Sequence, residues 1–191
     1  MDHEFNRDNN GSDQADSEQA PEPYKAPFEV DIDEIAKIII PRNNSRESIE
    51  DYAESILQNL AKHFDFVQGI IYLKDPRTKE FSSVATYAYT SERNPAPFMA
   101  GDGIPGQVAK NKTMVNISDI PEGYLQVQSG LGSSSPGNLL VIPLLLNKEA
   151  IGIIELASFH SLDNETEWTF KNLSKIIGNS LVTKLKSAGK K

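Results

Sequence analysis

The sequence predicts an α+β protein in which one antiparallel sheet carries helices on one of its faces. Two pairs of apolar segments, each joined by a turn of a few residues, indicate two β-hairpins, and apolar residues at helical spacing flank them. Parallel strands need a crossover of about a dozen residues or more, so such short turns imply antiparallel pairing. The order helix, hairpin, loop-rich middle, hairpin, helix is typical of this class.

Three helices are predicted outside the loop-rich middle. Residues 31–40 (DIDEIAKIII) suit a short helix that stops at Pro41, because proline interrupts helical hydrogen bonding. The second helix has apolar residues three and four positions apart. They are Ile49, Tyr52, Ala53, Ile56, Leu57, Leu60, Ala61 and Phe64. The last helix follows the capping sequence LDNETE, with an apolar face formed by Leu173, Ile176, Ile177, Leu181 and Leu185.

Four strands are predicted from β-branched and aromatic content. FVQGIIYL and FSSVATYAYT form the first hairpin, and LLVIPLLL and AIGIIELAS form the second. Pro143 lacks a backbone donor, so its strand should be an edge strand or be bulged at that position.

Charge and composition set the domain boundaries and exclude several function classes. The formal net charge is −8, and most of the excess acid lies before residue 30. Residues 1–28 are therefore predicted to be a disordered acidic tail, and residues 29–191 the folded domain. The near-neutral domain argues against nucleic-acid binding, and Lys184, Lys186, Lys190 and Lys191 are expected to be the solvated end of a helix. Without a signal peptide or a long apolar run, the chain is expected to be cytoplasmic and not membrane-bound.

Residues 101–107 (GDGIPGQ) match the G-x-G-x-x-G string of dinucleotide-binding loops. That loop needs a buried strand before its first glycine and an acid at the end of the next parallel strand. Here SERNPAPFMA, with two prolines, precedes Gly101, and the acid at a suitable distance, Glu122, lies in a turn. We therefore expect Gly101, Gly103 and Gly106 to permit tight backbone geometry at the start of a short helix.

The central and C-terminal sequence resembles the GAF domain, a small-molecule-sensing relative of the PAS fold. The similarity runs over about residues 46–186 and rests on GDGIPGQVAKNKTMVNISDIPEGY, the I-P strand and IGIIELAS. It implies a sheet of five or six antiparallel strands, with the terminal helices on one face and a ligand pocket under the central loops on the other.

Several chemistries of this family do not carry over to these residues. Bilin attachment and methionine sulfoxide reduction use cysteine in the family, and this chain has none. The cyclic-nucleotide signature is matched only in part, and its Asn147-Lys148 pair falls in the hairpin turn. His63 and His160 lie at element ends, where a boundary residue is a simpler interpretation than a haem ligand. No metal or catalytic site is predicted, and no cofactor is identified.

A ligand site is expected between the glycine turn, the loop at 118–138 and the sheet. Asp102 and Asp119 are interpreted as backbone caps. Glu155 is the one acid in an apolar strand, so it points either outward or into the pocket. Simple core packing is an equally good interpretation for each apolar candidate. The predicted ligand-binding residues are Ile104, Val108, Ile117, Tyr124, Leu125, Ser129, Leu131, Ile142 and Glu155.

Two hypotheses for function follow from these observations. In the first, the chain is a non-catalytic sensory domain of bacterial signal transduction, which binds an unidentified small molecule and forms a homodimer through its terminal helices. Because no output segment follows residue 186, the signal is expected to pass to a partner protein. In the second, the chain is a ligand-free dimerisation or protein-interaction module.

Overall fold

The computed structural model describes residues 27–91, 94–118, 120, 123–129 and 132–188. Almost all of the predicted acidic tail, residues 1–26, lies outside the described residues, so its disorder and the domain boundary stay predictions. The helices are α1 (Ile32–Ile39), α2 (Ile49–Phe64), α3 (Gly103–Asn111) and α4 (Asn164–Ala188). The strands are β1 (Gln68–Lys74), β2 (Phe81–Tyr87), β3 (Val115–Ile117), β4 (Val127–Ser129), β5 (Gly132–Ser134), β6 (Asn138–Leu146) and β7 (Glu149–Ser158).

Five strands form one antiparallel sheet in the order β2-β1-β7-β6-β3. The two predicted hairpins are β1–β2 and β6–β7, and they join through pairing of β1 with β7. The α+β class and the single antiparallel sheet are thereby confirmed. The strands β4 and β5 form a separate two-stranded hairpin within the segment predicted to be a loop.

One face of the sheet is covered by α2 and α4, as predicted, and α1 packs against these two helices. The apolar face of α2 is buried from Tyr52 to Ala61, and Leu173, Ile177 and Leu181 of α4 have no exposed surface. These side chains form a core with alternate residues of the central strands, such as Ile154 and Leu156. The apolar stripes of the terminal helices are therefore largely used inside one chain.

Within the part of the chain that the structure describes, the opposite face is covered by α3 and by loops. Val108 and Ala109 of α3 pack on Leu139, Val141 and Ile153 of the sheet. Because α3 is short, it covers β6 and part of β7, and it leaves the β1 side of this face to loops.

The turn before α3 confirms the structural interpretation of the three glycines. Gly101 and Gly103 have φ values of 108° and 59°, which L-residues rarely adopt. A Cβ atom on Gly106 would lie 2.5 Å from the carbonyl oxygen of Met99. Asp102 accepts a hydrogen bond from the Met99 amide at 3.1 Å, so it caps the turn as expected. No parallel strand enters this turn, which precedes a helix packed on an antiparallel sheet.

Pro143 occupies a stretch of β6 where a missing donor is tolerated. The pairing of β6 with β3 covers residues 139–141 only, so Pro143 lies beyond the end of the edge strand. A register shift follows between Leu144 and Leu145. The strand β6 is therefore not an edge strand as a whole and is not bulged at Pro143 itself, but it has no partner on the β3 side at Pro143, and the irregularity lies one residue later.

Lys184 is not the solvated residue that the sequence suggested. It is 1 % exposed, and its ammonium donates to the carbonyl oxygen of Asn44, lies 3.4 Å from Glu47 and sits over the ring of Tyr52. The lysine stem is long enough to pass through apolar surroundings to a polar partner. It ties the end of α4 to the connection between α1 and α2.

No helix among the described residues is long and apolar enough to cross a membrane.

Replacing Gly106 with alanine should destabilise the fold by about 1–3 kcal/mol, because the new Cβ would overlap the Met99 carbonyl. Urea unfolding would measure the loss. Gly178→Ala in α4 is the control, since a Cβ there would make only ordinary van der Waals contacts with Leu144, Leu145 and Ile151 of the sheet and should stabilise the chain by up to about 1 kcal/mol. Equal effects of the two substitutions would contradict this account of the turn.

Lys184→Met keeps the apolar stem but removes the ammonium, which leaves Asn44 and Glu47 without their donor. We expect a loss of about 1–3 kcal/mol in the free energy of unfolding. Lys186→Met, at an exposed position on the same helix, should change it little. Equal stabilities of the two variants in thermal or urea unfolding would show that the Lys184 ammonium does not stabilise the fold.

Candidate functional site

A cavity of about 430 Å³ lies over the β1 side of the face that α3 leaves uncovered. Its floor is formed by Ile70 and Tyr72 of β1 and Glu155 of β7. Its walls are formed by the start of α3, the residues after β2 and the loop that carries Tyr124. The wall residues are Tyr89, Pro95, Ala96, Pro97, Phe98, Asp102, Gly103, Ile104, Pro105, Tyr124 and Leu125. The volume falls in the range of small-molecule sites.

Glu155 is the buried charged group of this cavity. It is 7 % exposed, and each of its carboxylate oxygens accepts one hydrogen bond from a tyrosine hydroxyl. Tyr72 donates to Oε2 at 3.1 Å, and Tyr124 donates to Oε1 at 3.0 Å. Tyr72 lies in the adjacent strand, whereas Tyr124 reaches in from the covering loop and is itself partly exposed. The carboxylate therefore joins the floor of the cavity to its cover.

Burial raises the pKa of the Glu155 carboxyl, and the two tyrosine hydrogen bonds oppose that rise in part. Burial also raises the pKa of Tyr72 and of Tyr124, and the neighbouring carboxylate adds to the rise. Both hydroxyls therefore stay protonated near neutral pH and remain hydrogen-bond donors. The site contains a weakly solvated carboxyl group with no basic residue among the described lining residues.

An aromatic pair anchors one wall of the cavity. The rings of Phe81 and Phe98 are stacked with centroids 5.1 Å apart, and their backbones exchange two hydrogen bonds of 2.9 and 3.1 Å. Phe98 also meets Tyr72 edge to face at 5.0 Å. These contacts hold the wall formed by residues 94–98 against the sheet.

Gln68 presents a second polar group beside Glu155. It is 3 % exposed, and its side-chain nitrogen donates to the carbonyl oxygen of Ala88 at 3.1 Å. Its side-chain oxygen Oε1 is buried without a hydrogen-bond partner. Gln68 lines a neighbouring cavity of about 380 Å³ that shares Tyr89, Tyr124 and Leu125 with the first. A small gap that touches both Gln68 and Glu155 lies between them.

The structure brings four of the predicted residues to this cavity: Ile104, Tyr124, Leu125 and Glu155. Of the two orientations left open for Glu155, the structure shows the inward one. Ser129 ends β4, and Leu131 lies outside the described residues.

Val108 and Ile117 line a different feature, an open groove of about 720 Å³ between α3 and the edge strand β3. Val108 is nearly fully buried between α3, to which it belongs, and the sheet, while Ile117 is half-buried. The structure thus separates these two from the cavity around Glu155, and Ile104 borders both.

The placement of Ile142 in the pocket is wrong. It is 1 % exposed in the core beneath α2 and α4, together with Leu140, while Leu139 and Val141 face the other side of the sheet. The run LLVIPLLL is apolar at every position, so its alternation did not show which half faces which side.

The sequence interpretation missed Gln68, Tyr72, Tyr89 and Phe98. A signal for the first two was present: they are four positions apart in one strand, so they share a face, and polar atoms on an apolar face indicate a site. Tyr89 and Phe98 lie outside the main strands, where no periodicity locates a side chain.

The remaining residues considered from the sequence, Asn147, Lys148, His63 and His160, lie at turns and element ends as the sequence indicated. Asn147 and Lys148 form the turn between β6 and β7, with φ values of 49° and 65°. His63 contacts the ring of Phe64, and His160 is exposed near Asp65. Within the described residues, no group of three or more His, Asp or Glu side chains could hold a metal ion.

Burial raises the pKa of Glu155 in the folded chain, so the unfolded chain loses this proton first, at a pKa of about 4.3. The contribution of Glu155 to the free energy of unfolding should therefore decrease as pH rises above that value. In Glu155→Gln that decrease is absent. The stability of the variant relative to the parent chain should therefore increase with pH and level off above the folded-state pKa. Urea unfolding across a pH series measures this difference.

Glu149→Gln provides the control for this measurement. Lys112 lowers the pKa of the Glu149 carboxyl at the surface, so Glu149 stabilises the fold above its unfolded pKa and loses this contribution as pH falls. The pH trend of Glu149→Gln should thus have the opposite sign. A pH-independent difference for Glu155→Gln would show that its carboxyl is not perturbed by folding.

Both the sequence and the fold match known protein domains. The family model of the GAF domain matches residues 46–181. No curated protein matches the sequence. Among solved structures, a GAF domain of a phosphoenolpyruvate-protein phosphotransferase from Coxiella burnetii is 18 % identical, with a TM-score of 0.66 over 83 % of this chain and 96 % of that one. The corresponding domain from Acinetobacter is 15 % identical, with a TM-score of 0.64 over 83 % and 97 %.

A free methionine-R-sulfoxide reductase from Neisseria meningitidis, solved in complex with its substrate, is 17 % identical, with a TM-score of 0.62 over 82 % of this chain and 89 % of that one. These likenesses concern the fold, which regulatory domains and an enzyme share. The family match spans well over half of the sequence, and the described structure has the expected sheet, helices and covering loops. The chain belongs to the GAF domain family.

Proposed function

We propose that this chain is a non-catalytic, cytoplasmic sensory domain of bacterial signal transduction that binds a small molecule in the cavity above Glu155. The observation that carries the proposal is the carboxylate itself. A buried charge without a counter-charge is costly in a protein interior, and such groups occur most often at functional sites. A purely structural position at the centre of β7 would be served better by an apolar residue.

The chemistry of the lining supports binding more than catalysis. No cysteine occurs in the sequence, so the thiolate chemistry expected of the reductase relatives has no nucleophile here. No histidine, the usual base for such a nucleophile, occurs among the described lining residues of the two cavities. Covalent catalysis by a serine or threonine nucleophile commonly uses such a base within hydrogen-bond reach.

The architecture offers a route from the cavity to the terminal helices. Tyr124 belongs to the covering loop and is bonded to Glu155, so a ligand that meets Glu155 changes the cover as well. Ile154 and Leu156 flank Glu155 in β7 and face the core beneath α2 and α4. A shift of β7 would therefore reach both helices. Related domains in a phosphotransferase and in a methyl-accepting chemotaxis protein suit this sensory role.

The second candidate function is a ligand-free dimerisation or interaction module, and the helix surface favours it. Ile38 of α1 and Leu185 of α4 are 51 % and 44 % exposed. An open groove beside α1 is lined by Ile40, Pro41 and Ile176 together with charged residues. Exposed apolar side chains on a helical face are common at contacts between chains. A homodimer formed through this face is compatible with either function.

A metabolite screen by thermal shift, with the full chain, tests the sensory proposal. At least one compound should raise the melting temperature in a saturable way, because ligand binding to the native state stabilises it. Ala96→Trp should abolish that shift, since Ala96 lines the cavity and is exposed enough to carry the larger ring.

Lys37→Trp is the matched control, because it adds the same ring beside α1 on the other face of the sheet. It should leave the ligand-induced shift intact. No saturable hit for any compound would favour the module without a ligand. A hit that survives Ala96→Trp but not Lys37→Trp would move the binding site to the helices.

A further inference from the structure

The charged residues among the described lining residues of the cavity are all acidic. Two of its residues are acids, Asp102 and Glu155, and none is lysine or arginine. The adjoining cavity likewise has no charged residue among its described lining residues. The carboxylate of Asp102 already caps the turn before α3. Glu155 is therefore the charge that an occupant of the cavity would meet.

The polar atoms that remain available in this region are hydrogen-bond acceptors. Each carboxylate oxygen of Glu155 takes one tyrosine hydrogen bond and keeps a further acceptor position. The buried Oε1 of Gln68 has no partner. Its orientation is fixed, because the other atom of the amide must be the donor to the carbonyl of Ala88. A complementary ligand must bring N–H or O–H donors.

Gln68 and Glu155 can serve one ligand group because of the strand register. Ile70 of β1 is opposite Glu155 of β7, and Gln68 is opposite Ala157. Gln68 is therefore the diagonal neighbour of Glu155 on the same face of the sheet, at about 7–8 Å between backbones, within reach of long side chains. Both residues also touch the small gap between the two cavities.

Aromatic side chains form much of the surrounding wall. Tyr72, Tyr89, Phe98 and Tyr124 line the cavity around the carboxylate. Faces of aromatic rings attract cations, and the attraction is larger when water is excluded. An anionic ligand would meet repulsion from Glu155 without a basic partner among the described lining residues.

We propose that the ligand of this cavity is a small organic ammonium ion, whose N–H groups donate to Glu155 and to Gln68 Oε1 while its carbon skeleton lies among the aromatic rings. This inference rests on the proposed ligand-binding function and adds the chemical class of the ligand. The ammonium supplies both the counter-charge that Glu155 lacks and the donor that Gln68 lacks.

Calorimetric titration of the full chain with matched pairs of compounds tests the ligand class. Each amine is paired with the alcohol of the same skeleton: phenethylamine with phenethyl alcohol, tyramine with tyrosol, and butylamine with butanol. We expect at least one amine to bind about tenfold or more tightly than its alcohol, the difference between a charge-assisted and a neutral hydrogen bond. The preference should depend on the carboxylate at the cavity floor.

Two variants locate the effect. Glu155→Gln keeps the size of the side chain and one acceptor oxygen, replaces the other acceptor with an NH2 donor, and should remove the amine preference. Glu149→Gln removes a carboxylate from the same strand at its exposed start, away from the cavity, and should leave the preference unchanged. Circular dichroism of both variants confirms that the fold is retained. An equal loss in both would indicate a general charge effect and overturn the site.

The pH dependence gives a readout that a structural role would not produce. Amine affinity of the parent chain should fall as pH decreases through the pKa of Glu155, because a neutral carboxyl no longer attracts the ammonium. The facing groups are Tyr72 and Tyr124, whose raised pKa keeps them neutral, together with Gln68 and the carboxylate of Asp102. In Glu155→Gln the dependence should disappear, because the titrating carboxyl is gone; Asp102 is present in both chains, so a dependence that persisted in the variant would assign the effect to Asp102 instead.

The outcomes separate this inference from the function on which it rests. If an alcohol or an anionic metabolite saturates the cavity while the amines do not bind, the chain is a sensor but the ligand class is wrong. If neither the paired compounds nor the wider metabolite screen gives saturable binding, both the ligand class and the sensory function fail.

Discussion

The burial of β7 on both faces is the constraint from which the rest of the structure follows. This strand lies at the centre of the sheet between β1 and β6, so each of its side chains must find cover on one face or the other. Ile154 and Leu156 are covered by the core under α2 and α4. Ile153 and Glu155 point to the opposite face, where cover within the described part of the chain comes from α3 and loops. A cavity above Glu155 is the consequence of this unequal cover.

Much of the fold can be predicted from local sequence patterns, because those patterns reflect interactions between residues that are close together in the chain. The spacing in α2, the short turns of the two hairpins and the glycines before α3 each reflect a backbone requirement that acts within a few residues. Gly106 illustrates this, since its lack of a side chain is required by the carbonyl of Met99, seven positions earlier. Such requirements can be predicted without knowledge of the tertiary structure.

The site was less predictable because it depends on partners distant in the chain. Glu155 stands out in its apolar strand, yet only pairing of β1 with β7 shows that Tyr72 is its partner, 83 positions away. Ile142 was assigned to the wrong face because an unbroken apolar strand does not reveal which alternate set packs on the helices. Lys184 was expected in solvent because burial of a lysine depends on a distant acceptor, the carbonyl of Asn44.

These long-range partners also determine what Glu155 costs the fold and what it would contribute to the proposed ligand binding. The buried carboxylate costs folding free energy, and the hydrogen bonds from Tyr72 and Tyr124 offset only part of that cost. Tyr124 is partly exposed, so the bond that closes the cover is also the one most open to competition from water or from a ligand. A ligand that donates to the remaining acceptor positions of Glu155 would, under the proposed function, offset more of this cost and change the contact of the carboxylate with Tyr124 and with it the position of β7. Under the proposed function, the desolvation cost of Glu155 is free energy that a ligand would draw on to move the cover and, through Ile154 and Leu156, the helices on the other face.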